Sequence, residues 1–299
     1  MGVRKILSEE DNLFLNNNGK FVVLGPSFKY WYADPIIREI NGKQWIFAEC
    51  FDRWKRKGMI CVINVKDIGK KKPRIVIDEP FHMSFPEVFE YKNEHYMIPE
   101  THSVSEFRIY KMGHTVYDWK LVDAIKTEYE YSDTVVHVKD ENIYILSTEK
   151  KIENPYINRL HFFKLKFTDN NSSVTAIELQ IKCRNEYGYD VRNGGSIINI
   201  KDDMYRVIQE SEWGHYGKNL LLRHVEEIDD EGYVEKNTSL SAFADSIGIR
   251  LNALFHILKG THTYGLCGNS EVVDIKCMSF SLSSLYHGFQ NIFKLHKSI

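Results

Sequence analysis

The stretch YADPIIREINGKQWIFAEC, Tyr32 to Cys50, is the first of five related segments. It opens on small and polar residues and runs as an apolar strand. It turns at Asn41–Gly42 and returns as an aromatic-apolar strand. Alternating residues on both sides of an Asn-Gly turn mark a β-hairpin. The plan recurs in SFPEVFEYKNEHYMIPET (Ser84–Thr101), YSDTVVHVKDENIYILSTE (Tyr131–Glu149), NGGSIINIKDDMYRVIQES (Asn193–Ser211) and THTYGLCGNSEVVDIKC (Thr261–Cys277). Aligned without gaps, Asp34 falls on Phe85, Asp133, Gly194 and His262, and Trp45 falls on Tyr96, Tyr144, Tyr205 and Val273. The copies lie 51, 48, 61 and 68 residues apart.

Further strand pairs fill the intervals, among them GMICVINVKD, FRIYKM with WKLVDAI, and LHFFKLKF with VTAIELQIK. About four strands in roughly 50–60 residues is the arithmetic of a propeller blade. The predicted fold is therefore all-β: a five-bladed β-propeller over residues 1–281, with a short C-terminal amphipathic helix over 282–299. A β-sandwich or two small β domains is the alternative, and the near-equal spacing argues against it. Two segments break the pattern. Ser239 to Gly260 lacks a turn signal and reads as a helix or an irregular insert. At the C-terminus, Leu282, Leu285, Tyr286, Phe289, Ile292 and Phe293 recur at helical spacing. That stripe either covers a blade edge or touches a membrane weakly, with Lys294 and Lys297 beside it.

Composition narrows the function. The 299 residues carry 39 Lys+Arg against 41 Asp+Glu, a net charge of −2, which excludes a strongly basic nucleic-acid binder. No run of 18 uncharged apolar residues occurs, and MGVRKILSEEDNLFL has no apolar secretory core. The five cysteines are odd in number and form no C-x-x-C pair. Free thiols in a reducing compartment follow, and the expected location is cytoplasmic, at the inner face of the membrane.

In a propeller the first strand of each blade lines the central channel, so equivalent positions converge. Asp34, Asp133 and His262 then meet at one mouth. Arg192, His82, Ser84 and Glu87 sit close in register, and Glu49, Glu100 and Glu210 end inner hairpins. Aromatic faces stack on sugar rings while carboxylates accept hydroxyl bonds. Paired carboxylates are also the tools of glycosidic-bond chemistry. His262 in GTHT, with Asp34 and Asp133, offers a low-specificity metal set. The basic run Trp54 to Arg74 reads as solvated turns, or as contact with a phosphate-bearing donor or an anionic lipid surface.

The motifs WYADPI, IFAE, KGMICV, FHMSFPEVFE, YMIPET, FRIYK, YRVIQE, HYGKNL and GTHTY follow in order from Trp31 to Tyr264. As a set they resemble the N-terminal domain of glucosamine inositolphosphorylceramide transferases, which is similar to the five-bladed propeller of family 43 glycoside hydrolases. The resemblance covers roughly residues 28 to 280. It implies that Asp34, in Ala33–Asp34–Pro35, matches the first-blade catalytic Asp of the hydrolases, and that Asp133 matches a second blade-starting Asp. The general-acid Glu has no counterpart at Gly194, which leaves Glu87 and Glu210 as candidates.

The expected function is glycosyl transfer in surface-polysaccharide or glycolipid assembly. A family 43-like hydrolase of furanosyl or xylosyl linkages and a non-catalytic glycan-binding propeller are the alternatives. The catalytic candidates are Asp34, Asp133 and Glu87. The substrate-binding candidates are His82, Ser84, Glu49, Glu100, Arg192, Gln209, Glu210, Tyr216 and His262. Expected partners are a carbohydrate or nucleotide-sugar substrate, a lipid-linked acceptor and a weak membrane contact, with no nucleic acid. No cofactor beyond the sugar donor is expected.

Overall fold

The computed structural model describes residues 1–7, 11–15, 20–150, 158–168, 173–182, 192–212, 215–243, 247, 249–250 and 256–279. Two short strands open the chain, β1 (Gly2–Lys5) and β2 (Phe21–Val23). Blade 1 is β3 (Tyr30–Ile40), β4 (Lys43–Asp52), β5 (Lys57–Asn64) and β6 (Arg74–Ile77). Blade 2 is β7 (Ser84–Tyr91), β8 (Glu94–Glu100), β9 (Glu106–Met112) and β10 (Trp119–Lys126). Blade 3 is β11 (Tyr131–Lys139), β12 (Asn142–Lys150), β13 (Asn158–Phe167) and β14 (Val174–Leu179). Blade 4 is β15 (Ile198–Ile200), β16 (Asp203–Glu212), β17 (His215–Asp229) and β18 (Gly232–Phe243). The chain ends in β19 (Ile249–Arg250), β20 (His256–Gly260), β21 (Tyr264–Cys267), β22 (Ser270–Val273) and β23 (Lys276–Ser279).

Blades 1 to 4 are antiparallel meanders in chain order. Their inner hairpins close in two residues that accept positive φ: Asn41 (53°) with Gly42 (68°), Lys92 (50°) with Asn93 (59°), and Asp140 (49°) with Glu141 (61°). Lys201 (57°) opens the corresponding turn of blade 4. Such turns match the right-handed twist of the flanking strands. Blade 5 is assembled from both ends of the chain. Its order is β21–β22–β1–β2, with β19 parallel to β2 at the outside. β1 pairs with β22 from Gly2↔Val273 to Lys5↔Ser270, so the N-terminus closes the ring. Arg4 and Glu271, both buried, form an ion pair across this seam, and Tyr264 Oη donates to Glu271 at 2.7 Å.

Five hydrophobic clusters fill the wedges between neighbouring blades. Ile37 and Ile46 meet Val272, and Phe47 meets Met97. Phe89 and Tyr96 meet Val136, Phe162 meets Tyr233, and Val207 meets Val273. Apolar residues of two facing sheets thus supply the cohesion around the ring.

The gap-free alignment predicts the pairs of the first four hairpins: Arg38↔Trp45, Phe89↔Tyr96, His137↔Tyr144 and Ile198↔Tyr205. The fifth departs from it. Val273 pairs with Tyr264, because this hairpin is shorter on both strands. The segment from Ser239 to Gly260 is not helical where it is described: Ser239–Phe243 continues β18 against β17, and β19 and β20 follow. The predicted helix at 282–299 lies outside the described residues.

Candidate functional site

The convergence of ring positions has a backbone cause. Asp34 (φ 48°), Phe85 (φ 42°) and Asp133 (φ 50°) are left-handed residues at the same place in three blades. Each sits in a bulge where the inner strand gains a residue, at Ala33/Ile36, Ser84/Glu87 and Ser132/Val135. A bulge bends the strand and re-aims its side chains. Aspartate tolerates this conformation better than most residues, whereas Phe85 is held there by full burial among Ile36 and Val135.

Asp34 stands at the junction of blades 1 and 5. Its Oδ1 accepts from Thr263 Oγ1 at 3.0 Å and faces His262 Nε2 at 3.2 Å. The other imidazole nitrogen, Nδ1, faces Asp274 Oδ2 at 3.3 Å, and Asp274 also accepts the Asp34 backbone N–H at 3.2 Å. Burial works against an ionised Asp274, yet His262 holds its carboxyl below the usual range. Asp34, His262 and Asp274 present ligand atoms within 4.8 Å of one another, and this donor set suits a metal ion. Asp133 stands outside that set.

Asp133 stands across the mouth. Arg192 Nε donates to its Oδ2 at 2.5 Å and Gln209 Nε2 at 3.2 Å. Its backbone N–H donates to Glu100 Oε2 at 2.9 Å, and Arg192 reaches the same oxygen at 3.8 Å. Burial, then the Glu100 and Asp34 charges, push Asp133 up to about 7 against the pull of Arg192. An acid poised there exchanges protons readily at neutral pH.

Glu49 lies near the end of β4, beside Ala33 in the strand register, and is 3% exposed. Burial first, then Asp34, Glu100 and Asp274, raise its carboxyl well above the ordinary value. Among the described residues its Oε1 has no hydrogen-bond partner, and His82 Nε2 lies 3.5 Å away. The Gly58 N–H donates to His82 Nδ1 at 3.0 Å, so the neutral imidazole carries its proton on Nε2, towards Glu49. A Cβ at position 58 would lie 2.5 Å from Glu49 Oε1 and 2.8 Å from the His82 ring, so only glycine fits.

The structure thus gathers Asp34, Asp133, His262, Arg192, Glu49, Glu100, Gln209 and His82. Ser84, buried, pairs in backbone register with Glu100 at the edge of this group. Glu210 lies on the other face of β16 from Gln209 and accepts from Asn219 Nδ2 at 2.6 Å. The side chain of Tyr216 lies outside the described residues. Glu87 sits deeper in the channel and is fully buried. Its carboxylate takes bonds from Arg38 at 2.7 Å, Ser196 Oγ at 2.6 Å and the Val136 backbone.

Sequence reasoning missed Asp274, Thr263 and Asn193. Asp274 closes its hairpin as Glu49 and Glu100 close theirs, but the short fifth hairpin hides the correspondence. Asn193 Nδ2 donates to the carbonyls of Asp133 (2.6 Å) and Leu146 (3.0 Å), stapling blade 3 to blade 4. Gly195 follows because the chain passes against Tyr264, where any Cβ would overlap the carbonyl.

Clustered carboxylates, an imidazole and a guanidinium at the mouth of a five-bladed propeller suit a polyhydroxylated ligand. The model of the family described as "Glucosamine inositolphosphorylceramide transferase 1, N-terminal" matches residues 25–251, and the chain belongs to that family. It is 25% identical over 256 residues to glucosamine inositolphosphorylceramide transferase 1 of Arabidopsis thaliana, covering 80% of this chain and 33% of that protein. The protein of the same name from Oryza sativa subsp. indica is 25% identical over 211 residues, covering 70% and 28%. The chain thus spans about a third of the length of these curated relatives. Among solved structures it resembles the α-L-arabinofuranosidase PaAbf62A of Podospora anserina (TM-score 0.52, 13% identity, 80% of this chain and 78% of that one). It also resembles an α-L-arabinofuranosidase of Lactobacillus brevis (TM-score 0.52, 10% identity, 85% and 86%). These likenesses show the fold.

Proposed function

We propose that this protein transfers a glycosyl unit from a nucleotide-sugar donor to a hydroxyl acceptor in glycolipid or surface-polysaccharide assembly. The observation that carries the reading is the division of labour among the mouth carboxyls. Asp34 is held by Thr263 and His262 in a position to accept a hydroxyl proton. Burial and the neighbouring carboxylates raise the proton affinity of Glu49 well above the ordinary carboxyl range. A carboxyl of raised proton affinity beside a second carboxylate is what acid–base chemistry at a glycosidic centre uses. In the transfer, the bond from the anomeric carbon to the donor phosphate oxygen breaks. The acceptor oxygen bonds to that carbon, and the acceptor proton passes to a carboxylate. Asp133 with Arg192 and Gln209 would bind sugar hydroxyls opposite. The names of the plant relatives support a sugar-lipid product.

A second reading, glycan binding without chemistry, draws on the fact that Asp34, Asp133, Glu100 and Asp274 each have partners within the protein. Incubation with nucleotide sugars and inositol-phosphate-bearing lipids separates the two. Product formation that disappears in Asp34→Asn supports transfer. Sugar binding with no product in any donor–acceptor pair supports the binding module instead.

A further inference from the structure

The inner strand of blade 1 does not stop at the channel mouth. β3 begins four residues before Asp34, whereas β7 begins one residue before Phe85 and β11 two before Asp133. At about 3.3 Å per residue, the β3–β4 hairpin rises roughly 13 Å past the ring. Its crest consists of residues 27–32 and the β4–β5 turn at 53–56, which lie at the same end of the strands as Glu49.

The crest has an unusual surface. Trp54 is 64% exposed and Phe28 42%, and their rings touch edge to face with centroids 6.1 Å apart. Lys29 Nζ lies over the Trp54 ring at 5.4 Å. Below them Trp31 stacks on Phe51 at 4.8 Å, and Phe51 meets the His82 ring at 6.1 Å, so aromatic side chains run from the crest to the mouth. Lys29, Arg53, Lys55, Arg56 and Lys57 flank the exposed pair in sequence, with Lys55 and Arg56 exposed. Asp52 and Asp78 pair with three of these cations, Lys29, Lys55 and Lys57, while Arg53 and Arg56 make no ion pair among the described residues. Among the described residues, other large exposed apolar side chains such as Leu121 and Ile177 sit on different blades, and Ile75 lies on the outer strand of blade 1.

An exposed Trp–Phe pair with lysines and arginines beside it suits the headgroup zone of an anionic bilayer. There an indole sits at the interface and lysine and arginine meet lipid phosphates. We propose that the blade 1 crest is a membrane-docking prow. It inserts Trp54 and Phe28 among the headgroups of an anionic bilayer and holds the channel mouth beside the membrane surface. The inference goes beyond the proposed chemistry and stands whether or not the site transfers sugar.

The test is co-sedimentation of the full chain with vesicles of phosphatidylcholine, alone or mixed with phosphatidylglycerol. Binding is expected to the anionic vesicles only, and to weaken with added salt. Lys55→Gln with Arg56→Gln is expected to weaken it about thirtyfold, about fivefold per charge. Phe28→Ser with Trp54→Ser should abolish it, and Leu121→Ser on blade 2 should leave it unchanged. Thermal melts of the same variants should match the parent, since the substituted side chains are exposed. The charge variant serves on its own if the aromatic one fails to fold. The proposal is overturned if the parent ignores anionic vesicles at low salt, or if the charge variant binds them as the parent does. Equal loss in Leu121→Ser also overturns it. Retention of the parent on immobilised neutral glycan, with indifference to vesicles, would make the crest a sugar subsite instead.

Discussion

Two buried carboxylate–arginine pairs occupy the same channel at different depths, and they are built differently. At the floor, Glu87 is capped by Arg38, Ser196 and the Val136 backbone, and none of its oxygens lacks a partner. At the mouth, Asp133 pairs with Arg192 just as closely, but the neighbouring groups are incompletely served. Among the described residues, Glu49 Oε1, Gln209 Oε1 and Thr261 Oγ1 are buried with no hydrogen-bond partner. Buried polar groups in native proteins are nearly all bonded, and although Asp52 and Tyr96 elsewhere also carry such atoms, the three beside the mouth carboxylates lie where a ligand's hydroxyls would meet them. The floor holds the blades together. The mouth keeps bonding capacity in reserve.

That contrast can be broken by substitution. The largest effect belongs to Asp34→Asn, which keeps shape and removes the charge facing His262. Transfer is expected to fall roughly 10²- to 10⁴-fold, the range for loss of an acid–base group, with little change in melting temperature. A steady-state assay with a thermal melt checks both halves, and an active Asp34→Asn protein sinks the assignment. Glu87→Ala should do the reverse. It strands Arg38 against the Val88 carbonyl without its counter-ion. Breaking a buried pair costs about 3–5 kcal/mol, and the lower end applies because the Arg38 side chain is 25% exposed. Urea unfolding reads that loss. A Glu87→Ala protein of parental stability would mean the floor is not structural.

How far this contrast is legible without coordinates varies by residue. The hairpin plan is carried by local chemistry, with Asn41–Gly42 demanding a tight turn and period-2 alternation fixing which side chains face inward. Those signals placed Asp34, Asp133 and His262 together. Other features depend on partners far away in the chain. Alternation shows that Glu87 points inward, but not that Arg38 from another blade reaches across to cap it. β1 and β2 are four and three residues long and pair with strands about 250 residues away, so no local pattern announces the ring closure. Asp274 escaped because the fifth hairpin is shorter than the others, and the alignment drifts off register along its return strand.

A smaller effect is read at the mouth through pH. Asp133 titrates near 7 in the folded protein against about 3.9 in an unfolded chain. Below about pH 4 both states hold the proton. Between about 4 and 7 only the folded state does, so stability falls as pH rises through that window, at no more than about 1.4 kcal/mol per pH unit. Unfolding free energies of the parent and Asp133→Asn across pH 4.5 to 8 should differ by this slope. Parallel curves would show that Asp133 is ionised throughout and serves only as the counter-ion of Arg192.

The smallest predicted effect is also the sharpest test of the comparison, because it changes the same kind of bond at both depths. Ser196 Oγ donates to Glu87 at 2.6 Å and accepts from Arg38 at 2.7 Å. Thr263 Oγ1 donates to Asp34 at 3.0 Å. Each is a hydroxyl bonded to a buried carboxylate, and removing one such bond costs about 1–3 kcal/mol where the carboxylate has no replacement. Ser196→Ala should therefore lower unfolding stability by about that much while leaving turnover at the parental rate. Thr263→Val keeps the shape, and His262 still faces Asp34, so stability should move by less than about 1 kcal/mol. The carboxylate would lose one of the two groups that fix its direction, and misdirection of a reacting group lowers rate rather than stability. A drop of about fivefold in kcat with KM little changed corresponds to about 1 kcal/mol of lost transition-state alignment. If both substitutions lower stability alike and neither touches turnover, the mouth is as structural as the floor, and the reserve of unpaired polar atoms there has no chemical purpose.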